Sequence, residues 1–124
     1  MKKTSPSSSL KASKIDSEQY LYLTTQGRIT GHPREIEIWF TQREGRCYVI
    51  AEYHTSNWLL NLRAHPEVNV RIAGQSFPAR ARVLSAESDA DLLRTVQAIS
   101  RAKYGWGDGT VVELQPHPPS KPQI

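Results

Sequence analysis

The chain has 124 residues, 38% of them hydrophobic and 23% charged, the size and balance of a single globular domain. No run approaches the roughly 18 consecutive apolar residues of a membrane helix, and the basic start continues into Ser-Pro-Ser-Ser-Ser rather than an apolar signal core. One cysteine, Cys47, excludes an internal disulfide and a cysteine-based zinc cluster, so a reducing cytoplasm is the expected compartment.

The net charge of +4 belongs to the ends. Residues 1–14 carry Lys2, Lys3, Lys11 and Lys14 without an acid, and residues 116–124 add Lys121. The body between them, 15–115, holds 11 basic and 12 acidic residues. Its balance demands no basic face, and nucleic acid is not an expected partner. Residues 1–14 read as a basic disordered tail, and the proline-rich 116–124 as a second tail that cannot sit in a central strand.

Within the body, period-two alternation dominates. Leu21 and Leu23 oppose Tyr20, Tyr22 and Thr24; Ile36, Ile38 and Phe40 oppose Glu35, Glu37 and Trp39; Cys47, Val49 and Ala51 oppose Tyr48, Ile50 and Glu52. A capped helix is predicted over 55–64, started by Thr55 or Ser56 and ended by His65-Pro66. Alternation resumes at Val68, Val70 and Ile72, and again at Phe77, Ala79, Ala81 and Val83. A longer helix is predicted over 87–104, with acids in its first turn, bases in its last, and a stripe of Leu92, Leu93, Val96 and Ile99. Val111 to Leu114 closes a set of six strands. Short connections favour antiparallel pairing, and six sequential strands predict a closed or nearly closed β-barrel with peripheral helices.

Three stretches could carry chemistry. In Thr24-Thr25-Gln26-Gly27-Arg28-Ile29-Thr30-Gly31-His32-Pro33-Arg34, two glycines permit a sharp turn flanked by guanidinium groups suited to phosphate or carboxylate. Solvated arginines on a hairpin loop are the plainer reading. In Ala51 to Arg63 a strand runs into a helix carrying Trp58, able to wall a flat ring, and Asn61 one turn later. In Tyr104-Gly105-Trp106-Gly107-Asp108-Gly109 the glycines either present Tyr104 and Trp106 at a pocket mouth or cap the helix while Trp106 plugs the barrel. His32, His54, His65 and His117 lack metal-ligand spacing, so no metal is expected.

The run from Leu23 to Arg34 resembles the Thr-Thr-x-Gly-Arg-x-Ser/Thr-Gly-x-x-Arg motif of the deazaflavin-dependent nitroreductase family. Trp58-Leu59-Leu60-Asn61-Leu62-Arg63-Ala64-His65-Pro66-Glu67-Val68 is similar to that family's Trp-x-x-Asn-Leu-x-Ala-x-Pro-x-Val. The resemblance covers roughly residues 20–115. It implies an FMN-binding type of six-stranded antiparallel split β-barrel, related to pyridoxamine-phosphate-oxidase-like proteins and able to pair as a homodimer. The implied activity uses reduced coenzyme F-420 to reduce quinones, nitro compounds or similar small electron-poor acceptors. By this resemblance Arg28 and Arg34 hold the cofactor's phosphate and acidic tail, with Thr30 in the same binding set. Trp58 and Asn61 line the cofactor groove, Ala51 and Glu52 sit by its ring, and Tyr104 and Trp106 bound the acceptor pocket as the catalytic pair. Members often carry Ser-Lys-Gly-Gly after the third strand, where this chain has Glu52-Tyr53-His54-Thr55. The alternatives are an FMN-dependent oxidoreductase on the same fold and a non-catalytic flavin- or haem-binding protein.

Overall fold

A computed structural model of the protein describes residues 18–117. The tail expected over 1–14 and most of that over 116–124 lie outside the described residues. Seven strands are present: β1 (Tyr20–Gln26), β2 (Pro33–Trp39), β3 (Thr41–Arg43), β4 (Arg46–Ala51), β5 (Glu67–Ile72), β6 (Gln75–Val83) and β7 (Thr110–Pro116). Two helices, α1 (Asn57–Ala64) and α2 (Ala90–Tyr104), interrupt them. The strands form one antiparallel sheet in the order β2-β1-β5-β6-β7-β4-β3.

That order dictates the shape. β2 and β3 are the two edges of the sheet, yet only Phe40 separates them in the chain. The sheet therefore curls until its edges meet at Phe40, and the described pairings join no residue of β2 to β3. The result is a split barrel. At the corner Phe40 leaves both ladders, so its buried peptide groups need other partners. Helix α2 supplies them: the Phe40 amide donates to the Tyr104 hydroxyl at 3.2 Å, and the Lys103 ammonium donates to the Phe40 carbonyl at 3.0 Å. The Tyr104 hydroxyl also lies 2.6 Å from the carbonyls of both Phe40 and Gln19.

The inward members of the predicted alternation form the main core. Leu21, Leu23, Val49, Val70, Val112 and Leu114 are all at most 1% exposed, and Leu59 and Leu62 of α1 pack among them. On the opposite face of β4 and β7, Tyr48 and Val111 meet Val96 of α2, with Ile50, Leu92 and Leu93 against them.

Three boundaries differ from expectation. The predicted second strand, read through Phe40, ends at Trp39 because the backbone turns at Phe40, and Thr41–Arg43 beyond it form a further strand. Glu44 and Gly45, with φ of 53° and 78°, make a two-residue hairpin turn that pairs Thr41–Arg43 with β4. Second, α2 starts at Ala90, with Glu87 in the preceding turn. Asp89 caps no amide of its own helix; its carboxylate accepts from the Ser85 amide at 2.8 Å and from Arg82 at 3.0 Å. Third, β7 continues to Pro116, paired with Ala79. At a strand terminus proline's missing N–H is tolerated.

Candidate functional site

The loop between β1 and β2 is closed by its own backbone, the Gly27 amide donating to the His32 carbonyl and the Gly31 amide to the Gly27 carbonyl, both at 2.8 Å. Gly27 is closely hemmed in there: a Cβ would stand 3.0 Å from the Thr30 hydroxyl and 3.1 Å from the His32 carbonyl, pressing on the loop's own atoms. Asn61, only 4% exposed, ties this loop to α1. Its Oδ1 accepts from the Arg28 amide at 3.1 Å and from the Arg28 guanidinium at 2.9 Å, while its Nδ2 donates to Thr25 Oγ1 at 3.3 Å. Longer contacts of 3.4 and 3.5 Å connect Arg28 to Asn57.

Loop and helix together enclose a cavity of about 470 Å³, lined by Arg28, Thr30, Arg34, Asn57, Trp58 and Asn61 among others. Arg28 is bonded only to neutral acceptors, and Arg34 has no ion pair among the described residues. Two arginines thus line one concavity without a compensating carboxylate bonded to either, an arrangement whose chemistry suits an anion.

A second cavity of about 630 Å³ adjoins it, with Trp58 common to both. Its walls are aromatic: Trp39, Phe40, Tyr48, Tyr104 and Trp106 line it, and Trp39 stacks on Tyr104 with centroids 4.5 Å apart and planes 5° from parallel. Glu37 and Glu52 are its charged residues. Both volumes fall within the range of roughly 300–1,000 Å³ that suits small-molecule ligands.

Most of the expected site residues converge here. Arg28, Thr30, Arg34, Trp58 and Asn61 share the smaller cavity, while Glu52, Trp58, Tyr104 and Trp106 share the larger. Ala51 lines neither: alternation turns its methyl into the core, where it is 1% exposed. Ser56 does precede α1, but its side chain caps no amide. Gly105, at φ 79°, caps α2 as one reading expected, and Tyr104 and Trp106 both line the larger cavity. Gly109 is there for close packing, since a Cβ would lie 2.3 Å from the Ala51 carbonyl.

Three lining residues were missed, Asn57, Trp39 and Thr41, together with Glu113, which lines neither cavity but bonds Tyr48. Asn57, at the start of α1, reaches Arg28. Trp39, on the polar side of an alternating strand, signals by being a large aromatic there. Thr41 lines the larger cavity at 3% exposure. Glu113, 2% exposed, accepts from Arg46 at 3.1 Å, Tyr48 at 3.0 Å and Arg82 at 3.2 Å; a charge inside Val-Val-Glu-Leu was its signal. Burial and the bond to Glu113 push the Tyr48 hydroxyl up to about 12, and burial raises the Tyr104 hydroxyl. Both phenols hold their protons near neutrality. Burial also lifts the Cys47 thiol to about 12, leaving it inert. Among the described residues no group of three or more His, Cys, Asp or Glu side chains could hold a metal ion, and no helix is long and apolar enough to cross a membrane.

Comparison with known proteins bears on the fold and the family. The heme storage protein HutZ from Vibrio cholerae superposes with a TM-score of 0.74 at 20% identity, covering 90% of each chain. A Listeria innocua protein named for pyridoxamine 5′-phosphate oxidase gives 0.67 at 18% identity, covering 91% of this chain and 95% of its own. A reductase described as F420-H2 dependent, FDR-A, gives 0.60 at 19% identity, covering 79% of this chain and 95% of its own. These likenesses establish the split-barrel fold. The class is that of a deazaflavin-dependent oxidoreductase: the family model for F420H(2)-dependent quinone reductase matches residues 6–111, and the chain belongs to that family.

Proposed function

We propose that the protein reduces small, uncharged, electron-poor acceptors, quinones and nitro compounds among them, at the expense of reduced coenzyme F-420. One observation carries the reading: two carboxylate-free guanidinium groups and an aromatic cavity meet at a single indole, Trp58. The donor set fits a deazaflavin, whose phosphate and acidic tail call for paired arginines. Arg28 and Arg34 would hold that tail, with Thr30 and Asn57 offering further polar contacts and Trp58 walling the ring. When bound, the reduced deazaflavin supplies the hydride. The chain's own residues bind, orient and exclude water. Tyr104 and Trp106 bound the acceptor space, and Glu37 and Glu52 beside it repel anionic acceptors. Tyr104 and Tyr48 remain protonated, and the Tyr104 hydroxyl is committed to the corner at Phe40.

A homodimer accords with Tyr20, Trp39 and Tyr53, which are 40%, 40% and 63% exposed at the larger cavity, since a second copy would cover them. Sedimentation at micromolar concentration checks it. The test of function has two parts: titrations with F-420 and with FMN, followed by fluorescence, then anaerobic mixing of reduced F-420 with menadione. Micromolar F-420 binding and oxidation of the reduced form are expected. Tighter FMN binding would move the protein to the FMN-dependent alternative, and bound reduced F-420 that menadione never oxidises would make it a non-catalytic binder.

A further inference from the structure

The larger cavity carries a charge pattern that uncharged acceptors leave unused. No Lys, Arg or His is among the described residues that line it, whereas Glu37 and Glu52 both are. Both are exposed, and neither has an ion pair among the described residues. Glu37 accepts from the Tyr22 hydroxyl at 2.7 Å, through one of its two carboxylate oxygens. Cations in the neighbourhood are engaged elsewhere. Arg71 lies 4.2 Å from the Tyr22 ring centroid and pairs with Glu35 at 3.1 Å, while Lys103 donates to the Glu18 and Phe40 carbonyls at 2.8 and 3.0 Å.

Trp39 adds a flat surface beside these carboxylates. Period two places it on the same face of β2 as Glu37, and the register sets Tyr20 of β1 opposite it. One face of its indole is taken by Tyr104, whose ring lies 4.5 Å away and 5° from parallel. The Tyr104 hydroxyl is held at the Phe40 corner, so that indole stands on a fixed support. Trp39 is nevertheless 40% exposed, which leaves surface on it for a second ring. An electron-rich indole face flanked by carboxylates attracts positive charge.

We infer that the larger cavity binds flat N-heteroaromatic cations, their ring laid on the Trp39 indole and their charge facing Glu37 and Glu52. This goes beyond the uncharged acceptors of the proposed function, and rests on that reading for taking the cavity as the acceptor's. Positive charge on a ring is the extreme of electron deficiency, so such a cation is an acceptor of the same kind. Stacking on Trp39 is open to neutral rings as well; the two carboxylates are what discriminate.

The test uses probes of one shape: 10-methylacridinium, acridine kept neutral in mildly alkaline buffer, and acridine-9-carboxylate. Each is titrated into the unaltered full chain by equilibrium dialysis at low and at high salt. At low salt the cation should bind about 5- to 10-fold more tightly than acridine, each exposed carboxylate contributing about a factor of two to three. The carboxylate probe should bind most weakly. High salt should narrow the gap between cation and neutral ring and leave acridine itself unmoved. Glu37→Gln combined with Glu52→Gln removes charge, keeps shape and retains an oxygen for Tyr22. The double variant should bring the cation down to the affinity of acridine, whose own binding stays as before. Trp39→Leu should weaken both rings alike, by about 5- to 10-fold, and Trp39→Phe should recover part of that loss. Carboxylates with a merely structural role would not move the ratio of the two affinities.

Equal affinity for cation and neutral ring in the unaltered chain, a preference that survives the double variant, or one indifferent to salt would each overturn the inference. So would a Trp39→Leu chain with both affinities intact, or a dimeric chain that binds neither ring, since a second copy would then fill this face. Preference for the cation through these carboxylates, in a protein that never oxidises reduced F-420, would sink the reductase reading and leave the cation site standing. Oxidation of reduced F-420 by menadione without any such preference would do the reverse.

Discussion

Arg34→Ala and Arg28→Ala separate ligand binding from folding, because the two arginines have different commitments. Arg34 is exposed on β2 and has no partner among the described residues, so its loss removes nothing that holds the fold. Arg28 bonds Asn61 at 2.9 Å and reaches Asn57 at 3.4 and 3.5 Å, so its loss also loosens the loop from α1. A charge-assisted hydrogen bond is worth about 1.5–3 kcal/mol. Solvent screening places exposed Arg34 at the lower end, about 1.5 kcal/mol, which is roughly a tenfold loss of F-420 affinity. The double variant should lose about 3 kcal/mol, or roughly 150-fold, if the two forks act independently. Stability should divide differently. Arg34→Ala should unfold with the unaltered chain, whereas Arg28→Ala should lose about 1 kcal/mol, a drop of ~4–8 °C for a body of this size. Its penalty stays modest because the Arg28 amide still satisfies Asn61 Oδ1 at 3.1 Å. Fluorescence titration of F-420 at two salt concentrations, with thermal melts alongside, measures both quantities. Full F-420 affinity in Arg34→Ala, or an affinity indifferent to salt, would refute the assignment of the smaller cavity to the anionic tail.

Other perturbations test neighbouring parts of the structure. Tyr104→Phe leaves the buried Phe40 amide without its acceptor, so the protein should lose about 1–3 kcal/mol in denaturant melts; an unchanged midpoint would show that the corner is held otherwise. Glu113→Gln abandons the partial pairing with Arg46 and Arg82 at a position only 2% exposed. It should destabilise by about 2–4 kcal/mol, read from urea midpoints at constant m-value. The Asp89 carboxyl is held below its usual 3.8 by the Ser85 amide and the Arg82 guanidinium. Its stabilisation is therefore complete above the unfolded value near 3.8 and is lost as pH falls through the lower folded one. Asp89→Asn should flatten that part of the stability profile below pH ~4 and leave the acid limb otherwise intact.

How far the sequence reveals this molecule depends on whether the determining interaction is local. The burial of Leu21, Leu23, Val68, Val70 and Ile72 follows from period-two alternation, which any short window displays. The corner at Phe40 does not. Alternation runs unbroken from Ile36 to Phe40, and what permits the backbone to leave the ladder is Tyr104, 64 residues further on. The arginine loop and the Trp58 helix were legible as residue types suited to an anion and a flat ring, while the way they meet was not. Asn61 reads in sequence as a ligand-facing amide. In the fold most of its hydrogen-bonding capacity is spent on Thr25 and Arg28, 36 and 33 residues away. Glu113 and Thr41 belong to the same class of omission, since a polar residue's burial and satisfaction depend on strands distant in the chain.

The placement of Trp58 explains why binding and chemistry can share so small a body. Its neighbours Leu59, Asn61 and Leu62 are 0%, 4% and 1% exposed, so α1 is fixed on the core and cannot roll. Trp58 itself is half-buried, on a helix locked from beneath, with one cavity on each side. The smaller side presents two uncompensated positive charges and the larger presents two carboxylates on an aromatic wall. Under the proposed function, the carrier's anionic tail is drawn to the smaller side and an uncharged acceptor to the larger, while the carrier's ring reaches past the edge of the indole to meet the acceptor. Because the indole's support is already ordered in the folded protein, little further ordering is needed on binding. Substitutions beneath Trp58, such as Leu62→Ala, should then weaken both ligands together, by blurring the boundary that both of them use.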